Sequence, residues 1–180
     1  MARIAPLNPP YAPETQAAFD AIMPPGVDPL VLFRTLAVNA RVYQRFHAGS
    51  LLDRGLLSLR QREIVIDRTC ALNQCEYEWG VHVTTFAKAA GLTETEVRAT
   101  VFEGADAACW SASERALIAA VDALHARATL SDEEFSALSS HYEDAKIFEI
   151  ILLCGFYRTV SYLANGLRLP LEQGAARFPQ

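Results

Sequence analysis

Apolar residues recur along this chain at spacings of three and four, and no run sustains the strict alternation that a half-buried strand needs. Residues 14–22 (ETQAAFDAI) predict a short helix stopped by Pro24, Pro25 and Gly26, and residues 30–47 (LVLFRTLAVNARVYQRFH) a longer one. Gly49 and Gly55 bracket a turn. Further on, a serine or threonine is followed three positions later by glutamine or glutamate at Ser58/Gln61, Thr93/Glu96, Ser111/Glu114 and Ser131/Glu134. In such a capping box the hydroxyl accepts a free N–H of the first turn, and the N3 side chain reaches back to the cap. Gly91 and Gly104 sit where C-terminal caps belong. The expected fold class is all-α, with about seven or eight helices.

The most apolar run, Ile147 to Leu163, is interrupted by Glu149, Arg158 and Thr159. It is too short and too charged to cross a bilayer and reads as a buried core helix. Residues 1–13 hold four of the nine prolines and form an extended arm suited to wrapping a neighbour. A faint echo links Ser58-x-x-Gln-Arg-Glu-Ile-Val-Ile to Ser111-x-x-Glu-Arg-Ala-Leu-Ile-Ala, each followed by a second helix start. Either a helical unit is duplicated, with Ala116 in place of Glu63, or capping boxes simply look alike.

Composition narrows the picture. A chain of 180 residues fits one domain able to bury a real core. A hydrophobic share of 51% mildly favours an oligomer with apolar interfaces. The net charge of −5 argues against nucleic acid or an anionic membrane surface as partner. Met1 is followed by a proline-rich stretch rather than a basic and then apolar leader, and Cys70, Cys75, Cys109 and Cys154 lack a disulfide-framework spacing. The expected location is therefore the cytoplasm.

Candidate chemistry is concentrated between Leu59 and Leu92, LRQREIVIDRTCALNQCEYEWGVHVTTFAKAAGL. Here Glu63, Cys75, Glu78 and His82 stand in an apolar, helix-forming background. At about 100° per residue, Cys75, Glu78 and His82 fall within an arc of about 60° on one helix face, with Trp79 at its edge. Asn73 and Gln74 mark a break between two helices that could fold Glu63 back toward His82.

Glu63-x11-Cys75-x2-Glu78-x3-His82, within REIVIDRT and CEYEWGVH and followed by AGLTETEV, resembles the carboxymuconolactone decarboxylase and alkylhydroperoxidase D-like superfamily. LFRTLAVNARVYQRF upstream and YRTVSYLANGLRLPLE downstream are similar to its longer members. The resemblance implies a helical domain over residues 29–180, preceded by an arm and short helix in residues 1–28. It also implies assembly as trimers, dimers or hexamers, with the site between helices and often at a subunit interface. In the peroxidase branch a Cys-x-x-Cys pair is assisted by a glutamate and a histidine. Glu78 holds the second cysteine's place here, and a carboxylate cannot form a mixed disulfide.

The resemblance to the decarboxylase branch implies acid/base work on a small organic acid or lactone, with no cofactor and no metal. His82 is then the proton donor, a histidine titrating near neutrality being suited to that task. Glu63 orients it or acts as a second acid/base group, Glu78 is a further carboxylate at the site, and Cys75 is a small polar wall. The alternative is a thiol-dependent peroxidase using Cys75 as a sulfenic acid resolved by an external thiol. Cys70 could serve as resolving thiol only if the chain bends at Asn73. A third reading is a helical oligomer in which the cluster is a satisfied polar network without catalysis. Zinc is disfavoured, because Cys75 to His82 is not a common structural spacing and no second histidine sits four residues on.

Overall fold

The structure, a computed structural model, describes residues 2–180. Its described residues form α1 (Pro13–Asp20), α2 (Val31–Leu36), α3 (Ala40–Ala48), α4 (Leu59–Leu72), α5 (Glu76–Phe86), α6 (Glu94–Val101), α7 (Ala112–Arg127), α8 (Asp132–Ser139) and α9 (Asp144–Leu167), with a 3-10 turn at Gly104–Asp106 and no strand. All four expected capping boxes are formed, at the starts of α4, α6, α7 and α8. Each satisfies backbone N–H groups that a helix start otherwise leaves free.

The helix expected over residues 30–47 is two. Asn39 accepts the Val42 N–H at 3.2 Å and caps α3, so the chain turns at residues 37–39 where its apolar period alone suggested continuity. This split raises the helix count above the expected seven or eight.

Helix α4 is the centre of the fold, packing against α5, α6, α7 and α9. Every residue from Glu63 to Ala71 is buried. An exposed helix would alternate faces, so this unbroken burial explains why α4 shows little amphipathic pattern in sequence. Two arginines on α4 tie it to its neighbours. Arg60 binds Glu96 at 2.5 Å and Glu114 at 2.6 Å, while Arg68 binds Asp122 at 2.6 Å and the Thr100 carbonyl at 2.9 Å.

Helix α9 extends further than the Ile147–Leu163 run, and only one side of it is buried. Ile147, Ile150, Leu153, Cys154, Tyr157, Val160, Ser161 and Ala164 face the core. Phe148, Leu152 and Tyr162 on the opposite side are 74%, 55% and 60% exposed. At 24 residues, α9 is also long and apolar enough to cross a membrane by length and composition alone. The expectation of a fully buried core helix is thus half met.

Both termini lie on the same body. The N-terminal arm runs beside α2 and the end of α9, with Arg3 N–H donating to Leu167 O at 2.8 Å and Leu7 N–H to Arg34 O at 3.1 Å. The C-terminal tail crosses the outer face of α5. There Ala176 N–H donates to Thr84 Oγ1 at 2.8 Å, Phe178 N–H to Glu76 Oε1 at 3.0 Å, and the Phe178 ring packs 5.1 Å from Trp79. Gly80 makes this crossing possible, since a Cβ there would collide with the Ala176 carbonyl oxygen.

Gly80→Ala therefore sets a helix-propensity gain of about 1 kcal/mol against overpacking of about 1–3 kcal/mol. Because the obstructing atom is backbone, net destabilisation is expected, with a lower melting temperature and faster proteolysis of the tail. An unchanged melting temperature would show that the tail does not hold this position.

Candidate functional site

The site begins at the break between α4 and α5. Helix α4 ends in a Schellman turn, in which Cys75 N–H donates to Cys70 O at 2.8 Å and Gln74 N–H to Ala71 O at 2.9 Å. Gln74 takes the left-handed conformation this turn requires, at φ 54°. Asn165 on α9 pins the turn through Asn73 O at 2.9 Å. The reversal lays α5 against α4 and brings Glu63 and His82, nineteen positions apart in sequence, into direct contact: His82 Nδ1 lies 2.7 Å from Glu63 Oε2.

The contact is buried. Glu63 has no exposure and His82 only 3%. Arg62 grips the other Glu63 oxygen at 2.8 Å and lies over the Phe86 ring, which itself packs 5.3 Å from the imidazole. On the far side of the ring, Nε2 meets the Tyr157 hydroxyl at 3.1 Å and Glu78 Oε1 at 3.5 Å. Helices α4, α5 and α9 each contribute one partner.

These partners decide the charge on His82. Burial alone lowers an imidazole pKa, but the hydrogen bonds and charges of Glu63 and Glu78 outweigh it and raise the value to about 10. His82 is therefore an imidazolium at neutral pH, not a group titrating near neutrality. As an imidazolium it donates from Nδ1 to Glu63 and from Nε2 toward Tyr157 and Glu78.

Cys75 occupies the N-cap position of α5, one residue before the helix begins, at φ −97° and ψ 75°. Burial pushes its thiol up to about 11, against the Glu78 N–H and the Ser161 hydroxyl, which favour the thiolate. Trp79 points away from the site and donates to Thr100 Oγ1 at 3.0 Å.

Two participants escaped the sequence reading. Asp67 has no exposure, neither of its oxygens finds a hydrogen-bond partner, and burial together with the nearby Glu63 charge raises its pKa well above the usual carboxylate range, with His82 opposing. The signal was present, since Asp67 stands four residues after Glu63 and three before Cys70, on one face of α4. Tyr157 offered no such signal. It is 75 positions from His82 in a run whose other residues read as packing.

The cluster around His82 is closed to solvent. A cleft of about 200 Å3 under the 51–57 loop comes close, with Arg54, Leu57, Arg62, Glu149 and Leu153 among its lining residues. Arg62 stands between this cleft and Glu63. Among the described residues, no group of three or more ligating side chains has a metal-holding arrangement.

The sequence model of the carboxymuconolactone decarboxylase family matches residues 37–122, the segment that contains Glu63, Cys75, Glu78 and His82. Over those residues the chain is similar to the carboxymuconolactone decarboxylase family. Solved structures share the chain's helical fold. An uncharacterized peroxidase-related protein from Silicibacter sp. TM1040 is 21% identical with a TM-score of 0.84, covering 99% of this chain and 96% of its own. A second peroxidase-related protein, with an alkylhydroperoxidase AhpD core, from Ralstonia eutropha JMP134 is 20% identical with a TM-score of 0.71, covering 79% and 76%. The apo debrominase Bmp8 is 18% identical with a TM-score of 0.73, covering 94% and 92%. These identities speak to fold alone. Comparison with curated proteins finds no match.

The buried titrations predict a stability profile. A group whose folded pKa lies above its unfolded value stabilises most below the unfolded value and loses that contribution as pH rises through the folded one. For His82 the window runs from 6.5 to about 10. For Asp67 the loss starts at its ordinary value of 3.8 and proceeds upward. Urea midpoints measured between pH 5 and 10 should therefore fall with rising pH. His82→Gln should flatten the fall above pH 6.5, and Asp67→Asn, which has no proton to lose, should be more stable than wild type at pH 8. A flat wild-type profile would refute the charge states described above.

Proposed function

We propose that the protein is an acid/base enzyme of carboxymuconolactone decarboxylase type, acting on a small organic acid or lactone without cofactor or metal. The observation that carries this reading is the buried Glu63–His82 pair, in which the imidazolium holds a transferable proton on Nε2. After loss of CO2 or opening of a lactone, a carbanion or enolate needs a proton from a donor within hydrogen-bond reach. Nε2–H supplies it. Glu63, held by Arg62, fixes the ring through Nδ1 and compensates its charge at every stage.

Tyr157 and Glu78 stand at the donating nitrogen and hold it in place. Access is the remaining requirement. The cleft under the 51–57 loop is the proposed approach, with Arg54 at its wall to meet a substrate carboxylate and Arg62 as the inner partition. Release of Arg62 from Leu52 O, which it holds at 3.0 Å, would open the way to His82.

Self-association is part of the same proposal. The exposed Phe148, Leu152 and Tyr162 row on α9 is an apolar surface of the kind subunit interfaces cover. A homodimer, trimer or hexamer through this face is expected in sedimentation velocity at micromolar concentration. Phe148→Glu with Leu152→Glu should yield monomer; wild type that is already monomeric would refute this part.

With a panel of small lactone acids, His82→Ala and Glu63→Gln should each lower turnover by about two to four orders of magnitude. Cys75→Ser should leave turnover within about two-fold, because no proton passes through the thiol. If Cys75→Ser abolishes activity while Glu63→Gln spares it, the chemistry is that of the thiol and the acid/base reading fails.

A further inference from the structure

Between α5, α6 and the C-terminal tail lies an open groove of about 680 Å3, and neither Glu63, Glu78 nor His82 lines it. Small-molecule sites occupy about 300–1,000 Å3. The sequence builds this groove in three places. Gly80 lets the Ala176 carbonyl lie against α5, so the tail runs on past it as one wall, through Arg177 and Pro179. Phe178, between those two, turns inward onto Trp79 and fixes that wall. After α5, Gly91 takes the left-handed conformation at φ 67°, and Leu92 N–H donates to Ala87 O at 2.9 Å. The chain there reverses into α6, whose Val97 and Arg98 form the other wall.

Floor and rim differ in chemistry. Trp79, Val83, Leu92 and Val97 make the floor apolar. Around it stand Lys88 from the turn after α5, Arg98 from α6 and Arg177 from the tail, all three exposed. Among the described residues none of them is ion-paired with a carboxylate. Arg98 also holds the Gln180 carbonyl at 2.9 Å, which ties the tail to α6. Glu94, in the first turn of α6, is the single acid in the lining. Three cations against one anion leave the groove at +2, on a chain whose net charge is −5. A lone exposed lysine is merely solvated. Cations brought from three separate elements to the edge of one apolar floor suit a ligand with an apolar body and a negative end.

We propose that this groove binds an amphipathic monocarboxylate with an unbranched apolar chain of medium length. The chain lies along the floor from Trp79 to Val97, and the carboxylate sits among Lys88, Arg98 and Arg177. A wholly ionic ligand would leave the floor uncovered, and a neutral alcohol would leave the cations unanswered. The proposal goes beyond the acid/base reading and does not depend on it.

The test is isothermal titration calorimetry of the wild-type protein with sodium decanoate, sodium octanoate and decanol, each below its micelle or solubility limit. Decanoate should bind saturably, one per chain. Octanoate, two methylenes shorter, should bind about four- to sixteenfold more weakly, since each buried methylene adds about two- to fourfold. Decanol should bind more weakly than decanoate. Lys88→Ala and Arg177→Ala, at exposed positions that leave the fold intact, should each weaken decanoate about two- to fivefold and leave decanol unchanged. Glu94→Gln should tighten decanoate. Decanoate brominated at its far end should quench tryptophan emission, and the quench should vanish in Trp79→Phe and persist in Trp110→Phe. The proposal is overturned if decanoate shows no saturable binding at millimolar concentration, if decanol binds as tightly, or if the charge variants change nothing. A quench that survives Trp79→Phe overturns it as well. So does association with phosphatidylglycerol vesicles but not with monomeric decanoate, which would assign the rim to a membrane surface. Turnover enters none of these readouts, so failure here leaves the acid/base reading to its own test.

Discussion

A carboxylate and an imidazolium held 2.7 Å apart with almost no exposure to water set the terms for the rest of the fold. Removing two such charges from water costs several kcal/mol each, and their attraction repays this only when the remaining donors and acceptors are also met. Arg62 meets the second Glu63 oxygen, while Tyr157 and Glu78 meet the second imidazole nitrogen. Three helices must therefore be placed together before the pair is tolerable. Such a pair is weak evidence for stability in itself.

The geometry of that pair is delegated to a turn of three residues. Gln74 adopts a left-handed conformation that costs a non-glycine residue about 1–2 kcal/mol. The turn recovers hydrogen bonds to the Cys70 and Ala71 carbonyls and is braced by Asn165 from α9. One local reversal thereby sets the approach of Glu63 to His82 and the position of Cys75 at the start of α5.

Asp67 gives the cluster its unusual character. An unpartnered carboxyl with no access to solvent is held toward its neutral form, beside an ionised pair that is fully coordinated. Like charges in so small a volume cannot all persist, and proton uptake at Asp67 relieves the excess. Glu63 and Asp67 share one face of α4 yet differ in their surroundings: Arg62 and His82 bond the first, and neither oxygen of the second has a hydrogen-bond partner.

The helix starts, the all-α class and the polar stretch around Glu63 and His82 were legible in sequence because each rests on contacts between residues a few positions apart. A hydroxyl and a glutamate or glutamine three residues apart can cap each other's backbone N–H at a helix start, and all four capping boxes formed. The resemblance carried by CEYEWGVH rested on the same local spacing. What required the tertiary structure was everything set by long-range packing. Helix α4 is buried all round, so its sequence could not say which polar residues faced His82, and Asp67 went unread. Tyr157 reaches the imidazole from a helix that seemed to be packing alone, and the outer side of that same helix stayed exposed although it is equally apolar. The charge on His82 followed the same rule: an isolated imidazole titrates near neutrality, and only the placement of Glu63 and Glu78 beside it raises that value to about 10. Sequence alone determined where helices begin and which residue types lie close along the chain. Tertiary structure decided which of them lost water and gained a partner, because desolvation and pairing depend on neighbours that the chain supplies from far away.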